Sequence, residues 1–269
     1  MTKENRPLQA KAIECLGLIA ESVGPQRFGA DSTAAMNLIM SLQASDLPAD
    51  DPRAPELMQC AVRICKCVGD QFVICLPRVL PPLLKCLDKT KIGMSVTDVE
   101  EDDSNTNAAD KDAAAAGMST WVIGIRGVGD KKISLNTAAI DDMHMSITIL
   151  REYAQVLRGK FLPYVETCAK AIIPLVDFEF FEGVRSTAAL TLSEMVRCAT
   201  EGLRHANKPQ TFAMQLLRTS MLTLIRRLEQ EMKKGVESDT VACFAESIKL
   251  VQDTVDVYRR SVWVNKNLE

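Results

Sequence analysis

The sequence predicts an all-α protein built as a solenoid of antiparallel helix pairs. Three observations carry this: apolar stripes of helical period, glycines placed where helix pairs should turn, and a spacing of 43–45 residues between those turns. The stripes are Ala12, Leu16, Ile19 and Val23; Leu57, Ala61, Ile64 and Val68; Ile147, Leu150, Ala154 and Leu157; Ala188, Leu192, Met195 and Ala199; and Phe244, Ile248, Val251 and Val255. Steps of three and four residues put one apolar stripe on each helix. No period-2 run with hairpin chemistry competes with them.

Each stripe is followed by a turn signal and a second helix. Gly24-Pro25-Gln26-Arg27-Phe28 precedes a helix over 32–44, and Gly69-Asp70-Gln71-Phe72 precedes one carrying Leu76-Pro77 and Leu80-Pro81-Pro82. Gly159-Lys160-Phe161 precedes a helix ending in Ile172-Ile173-Pro174-Leu175, and a fourth turn is expected at Gly202, before a helix over 211–232. Glycine past a helix end supplies the left-handed stop, and the Phe that follows can pack back into the pair. Pro77, Pro81, Pro82 and Pro174 are expected to bend the second helices. Gly24 to Gly69 is 45 residues and Gly159 to Gly202 is 43. That is the HEAT/armadillo period, in which a helix pair buries its apolar face only by stacking on neighbours. The expectation is a single HEAT-repeat array over 1–269, right-handed and of about five repeats.

One interval breaks the period. Between about Thr90 and Asn136 lies a surplus holding Asp98-Val99-Glu100-Glu101-Asp102-Asp103, an Ala-rich spacer, Trp121 and several glycines. Acids, Ser, Asn and Gly bury too little apolar surface to fold alone, so residues 90–136 read as an insertion loop between repeats.

Composition narrows the function. With 32 Lys+Arg, 35 Asp+Glu and a net charge of −3, the chain lacks the basic balance of a nonspecific nucleic-acid binder. No secretory leader and no long uncharged apolar run argue for membrane insertion. The nine cysteines are odd in number and sit in helical stripes, as reduced core residues do. Cys60, Cys65 and Cys67 lack a second pair or a nearby His for zinc. The two histidines, His144 and His205, are far apart. Gly124-Ile125-Arg126-Gly127-Val128-Gly129 lacks a βαβ setting, and Asp141-Asp142 reads as a helix N-terminal feature. Nothing here suggests an enzyme or a cofactor.

Ala10-Lys11-Ala12-Ile13-Glu14-Cys15, Gly69-Asp70-Gln71-Phe72 with Leu76-Pro77, and Phe181-Glu182-Gly183-Val184-Arg185-Ser186-Thr187-Ala188-Ala189 resemble the middle HEAT repeats of the karyopherin-β (importin-β) nuclear transport receptors. The likeness is sharpest over 8–88 and 138–200. It implies a receptor that shuttles between cytoplasm and nucleus through the nuclear pore. Such a receptor binds basic nuclear-localisation signals on cargo, releases them to Ran-GTP and engages nucleoporins. It also implies a central stretch cut from a longer solenoid, with the initial Met and the final Leu-Glu added, and with the family's main Ran-binding repeats outside it.

The insertion is similar to the family's acidic loop, which carries Asp98, Glu100, Glu101, Asp102, Asp103 and Trp121 over as loop residues, although an Ala-rich spacer separates the acids from Trp121. Physically it is either a polyanion attracting Lys/Arg segments or a solvated linker. The second helices line the receptor's concave face, so Glu166, Asp177 and Glu179 are candidate acceptors for cargo lysines, with Asp31, Glu229 and Glu231 on or beside the same helices. The helix around Arg218, Arg226, Arg227, Lys233 and Lys234 is basic. The alternative is a HEAT scaffold of another assembly, of the phosphatase or chromosome-organising kind.

Overall fold

The structure, a computed structural model, describes residues 5–43, 47, 51–98, 118–125, 129–233 and 239–266. The helices are α1 (Arg6–Gln43), α2 (Arg53–Val68), α3 (Leu76–Cys86), α4 (Thr137–Leu157), α5 (Leu162–Ile172), α6 (Glu182–His205), α7 (Thr211–Lys233) and α8 (Asp239–Lys266). Gly24, at φ 72° and ψ 174°, divides α1 into two arms. Only glycine adopts that backbone cheaply, and Pro25 starts the second arm.

Contacts between helices show the stacking. Arg53 of α2 donates to Gln9, 44 positions away in sequence, at 3.0 Å. Lys11 lies 3.9 Å from Glu56 and Arg63 3.6 Å from Glu21. Lys66 of α2 reaches Glu152 of α4 at 3.0 Å. On α6, Thr187 bonds His144 and the Cys198 thiol bonds the Ala154 carbonyl, 43 and 44 positions apart. A nearly constant offset along a pair means parallel helices in register. Ser193 of α6 then bonds the Ser247 carbonyl of α8 at 2.9 Å. The first arm of α1, then α2, α4, α6 and α8, therefore form a row of first helices. The second arm of α1, then α3, α5 and α7, are their partners. Among the described residues there are four helix pairs and a fifth first helix.

The core follows the stripes of α2, α4, α6 and α8. Leu57, Ile64, Ile147, Leu150, Ala188, Leu192, Met195, Phe244 and Val251 are all buried. At roughly 1.5–3 kcal/mol for each buried Leu, Ile or Val, this seam dominates stability. The turn phenylalanines pack inward as expected: Phe28, Phe72 and Phe161 are buried, and Phe72 stacks on Tyr153 with centroids 5.5 Å apart.

On the first arm of α1 the stripe is displaced. Ala10, Ile13 and Ala20 are buried, and Gly17 faces Cys60. Ile19 is 55% exposed and Val23 38%. In a solenoid a first helix is sandwiched, so it carries two apolar edges. The more conspicuous edge of α1 is the one with no neighbour among the described residues.

Local punctuation differs from expectation at four places. Gly202 lies inside α6, not at a turn, and the chain turns after His205 through Asn207 at φ 50°. The left-handed residue after α4 is Arg158, at φ 46°, rather than Gly159. Gly159 and Gly202 instead meet: a Cβ on Gly202 would lie 2.6 Å from the Gly159 carbonyl oxygen. Pro77 sits in the first turn of α3, where its missing N–H costs nothing, so only Pro81 and Pro82 are interior. Asn136, not Asp141-Asp142, starts α4, its side chain accepting the Ala139 N–H at 3.0 Å.

The span Arg53–Cys86 is long and apolar enough to cross a membrane by hydropathy, 1.3 on average. It breaks at Gly69, φ 58°, and α2 packs between α1 and α4, so the apolarity serves the core.

The insertion carries secondary structure that the sequence reading did not anticipate. Strands β1 (Met94–Asp98), β2 (Met118–Ile125) and β3 (Gly129–Asn136) form an antiparallel sheet in the order β1-β3-β2. Its root is tied to the solenoid by buried Leu135 and by a 3.1 Å bond between Ser119 and Thr137 at the start of α4.

Candidate interaction surface

Two features could receive a partner: the insertion and the outward faces of the second helices. In the insertion, Asp98 ends β1 in register with Lys131 of β3, and Trp121 is in register with Ile133. These register positions place Trp121 in a sheet rather than a loop. Glu100, Glu101, Asp102 and Asp103 lie outside the described residues. Gly124 and Gly129 belong to adjacent antiparallel strands, which is not the strand–turn–helix setting of a phosphate loop.

The acids of the second-helix row do not form one receptor. Glu166 is exposed on α5 and bonds Lys170 at 2.7 Å, one turn away. Asp177 closes the short 3-10 segment Ile173–Asp177 and is held by Arg226, with Arg227 at 3.9 Å. Glu231 is buried and bridges Arg227 and Arg185, the latter at 3.4 Å. Arg185 also donates to the Phe178 carbonyl at 3.0 Å. These carboxylates neutralise two buried guanidiniums where α6 and α7 meet the preceding turn, and that use occupies them. Glu179, exposed in the bend before α6, and the exposed Asp31 and Glu229 remain on the surface.

What the sequence reading missed is the positive charge of α3. The core stripe of α3 is Leu76, Val79, Leu80 and Leu83, and directly opposite stand Arg78 and Lys85, both exposed. Neither has a carboxylate within ion-pair distance among the described residues. Seven residues is close to two helical turns, so the spacing alone could have placed both on one face. Lys89, just past α3, donates to the Pro174 carbonyl at 2.6 Å and brings the ends of α3 and α5 together.

The buried thiols are poor nucleophiles. Burial pushes Cys60 and Cys75 up to about 11 and Cys168 to about 12, and raises Cys65 and Cys198 as well. No cluster of His, Cys, Asp or Glu suited to a metal ion occurs among the described residues. His144 bonds Thr187 at 2.9 Å and sits edge-on to Phe181, a packing role.

Comparison with known proteins identifies the array. No family model matches the chain. It is 33% identical over 199 residues to importin subunit beta-3 of Saccharomyces cerevisiae, covering 73% of this chain and 17% of that protein. It is 23% identical over 262 residues to a probable importin-5 homolog of Dictyostelium discoideum, covering 94% of this chain and 21% of that one. Solved structures of Kap121p superimpose on 96% of the chain. The structure of a Kap121p mutant has a TM-score of 0.66 at 27% identity, and that of Kap121p bound to RanGTP 0.63 at 26%, with the chain covering 25% of each. The chain thus spans about a quarter or less of the length of the proteins it matches. These relatives are named as importins and as the karyopherin Kap121p. The chain belongs to the importin-β (karyopherin) family and has the HEAT-repeat solenoid fold.

Proposed function

We propose that the chain is part of a nuclear import receptor that binds basic localisation signals of cargo proteins and is regulated in the intact receptor by Ran-GTP. The supporting observation is the likeness over 96% of the chain to Kap121p in structures bound to Ste12p, Pho4p, Ulp1p and RanGTP. A receptor of this kind shuttles between cytoplasm and nucleus and passes the pore by contacts with nucleoporins. On this chain the basic ligand is received by the acidic run Asp98, Glu100, Glu101, Asp102 and Asp103, and by exposed Glu179. Glu166 and Asp177 are secondary, because each already holds a cation.

The test is a deletion of residues 98–112 with affinity for a Lys-rich signal peptide measured at two salt concentrations. Weaker binding with a shallower salt dependence is expected, since fewer charges are engaged. Unchanged affinity and salt slope would make the run a solvated linker. A pull-down of the full-length gene product with Ran-GTP and the same peptide checks the wider reading. Capture of neither would move the assignment to a HEAT scaffold of another assembly.

A further inference from the structure

We infer that the outward face of α3, with the adjoining end of α5, is a receptor strip for an acidic, extended polypeptide segment, a ligand of opposite sign to basic cargo. Residues 76–93 contain Arg78, Lys85, Lys89 and Lys91 against a single acid, Asp88, in a chain whose net charge is −3. The side chain of Asp88 is turned to its own backbone, accepting the Thr90 N–H at 2.9 Å. Arg78 and Lys85 stand opposite the core stripe, where they add nothing to packing. The Lys89 ammonium donates to a neutral carbonyl, that of Pro174, and has no carboxylate within ion-pair distance among the described residues. That bond sets the end of α3 against the end of α5, whose Lys170 is shared with Glu166.

The spacing selects the ligand. Arg78 and Lys85 are about 10 Å apart along the helix axis, at 1.5 Å per residue. A peptide in the polyproline II conformation advances about 3.1 Å per residue with three residues per turn, so acids at every third position lie on one face, about 9 Å apart, and match Arg78 and Lys85. Between acids its remaining residues can be neutral opposite Glu166 and Asp177. A nucleic-acid strand carries a phosphate at every nucleotide, so it has no such freedom and would set phosphates against those carboxylates.

The test uses the whole chain and a fluorescent peptide with Glu at every third position, followed by anisotropy at low and moderate salt. Binding at low salt is expected, weakened several-fold as salt rises. The double reversal Arg78→Glu with Lys85→Glu should weaken it about tenfold or more, because attraction becomes repulsion at two points. Lys249→Glu, on an exposed position of the first-helix row, should change it less than twofold. Circular dichroism checks that the variants fold, and Arg78→Gln with Lys85→Gln provides a milder second pair expected to fall between. Absence of binding at low salt overturns the inference. So does equal loss in Lys249→Glu, which would reduce the effect to net charge. Tighter binding of a single-stranded oligonucleotide than of the peptide would reassign the strip to nucleic acid. The Lys-rich peptide assay above is independent of these outcomes, so basic-cargo binding and acidic-segment binding can fail separately.

Discussion

Replacing Gly202 by Ala tests whether the junction of α5 and α6 is held by a glycine–glycine contact. On helix propensity alone the change should help, since Gly inside a helix costs about 1 kcal/mol relative to Ala. The packing says otherwise. The new Cβ would lie 2.6 Å from the Gly159 carbonyl oxygen and 2.7 Å from the Leu162 Cβ. A carbon approaches a carbonyl oxygen to about 3.3 Å, so the gap is short by about 0.7 Å. Neither obstacle is the flexible end of a side chain. The Gly159 backbone is pinned by Arg158 at φ 46°, and Leu162 opens α5. Overpacking of this kind costs about 1–3 kcal/mol. Subtracting the propensity gain leaves a net loss of about 1 kcal/mol. Gly29→Ala is the matched control. Gly29 is helical and exposed, and a methyl group added there would meet nothing within 4 Å, so Ala should gain about 0.5–1 kcal/mol. Urea unfolding followed by circular dichroism reads both midpoints. If Gly202→Ala matches or exceeds the unmodified chain while Gly29→Ala behaves as stated, the turn at 158–161 yields freely. The two glycines would then not set the spacing of these helices.

Four further outcomes follow from the polar groups and thiols. Glu231→Ala strands Arg185 and Arg227 in the interior and should cost about 3 kcal/mol or more. Arg226→Ala, at the exposed end of the same network, should cost less than about 1 kcal/mol, measured in the same urea series. Asp51 bonds the side chain and backbone N–H of Arg53, and the Arg53 side chain holds its carboxyl down to about 2 against the opposing effect of burial. A depressed carboxyl stabilises fully above its unfolded value near 3.9 and ceases to as pH falls through the folded value. The stability gap between the unmodified chain and Asp51→Asn should therefore be flat near neutral pH and close between about pH 4 and pH 2. Thiol labelling of the native chain should reach exposed Cys15 first, and Cys60, Cys65, Cys75, Cys168 and Cys198 only on unfolding. Rapid native labelling of any of those five would contradict their burial.

The repeat was legible because its cause is local. A helix that must bury a stripe writes that stripe every three or four residues, and the turns of the first three pairs need glycine or proline within a few positions. The readings that failed depended on neighbours. Ala12, Leu16, Ile19 and Val23 form as good a stripe as Ala188, Leu192, Met195 and Ala199, yet only the second is fully buried, because α6 has α4 on one side and α8 on the other. Gly202 has the composition of a turn glycine, and only its contact with Gly159, 43 residues away, shows that it is there for close approach. The sheet in the insertion escaped notice for another reason. Met118–Ile125 does not alternate cleanly, and its partner β3 carries Asp130-Lys131-Lys132, which reads as loop until the pairing of Ile133 with both Val96 and Trp121 is seen.

The acidic candidates separate by the same logic, and the separation bears on how a cargo-binding experiment must be designed. Asp177 and Glu179 are two residues apart and look equivalent in sequence. The partner of Asp177, Arg226, is 49 positions away, and Asp177 with Glu231 neutralises guanidiniums drawn into the α6–α7 junction. Glu179 is exposed. Reversing Asp177 to Lys would put a third cation against Arg226 and Arg227 and should destabilise the junction, so any lost affinity for a basic peptide would follow lost structure. Glu179→Lys removes the same charge from nearly the same place without touching that network. If the row of second helices receives basic ligands through carboxylates, Glu179→Lys should weaken binding with an unchanged urea midpoint. If affinity falls only in Asp177→Lys and in step with its midpoint, the carboxylates of this row serve the fold, and the basic ligand is held by the insertion.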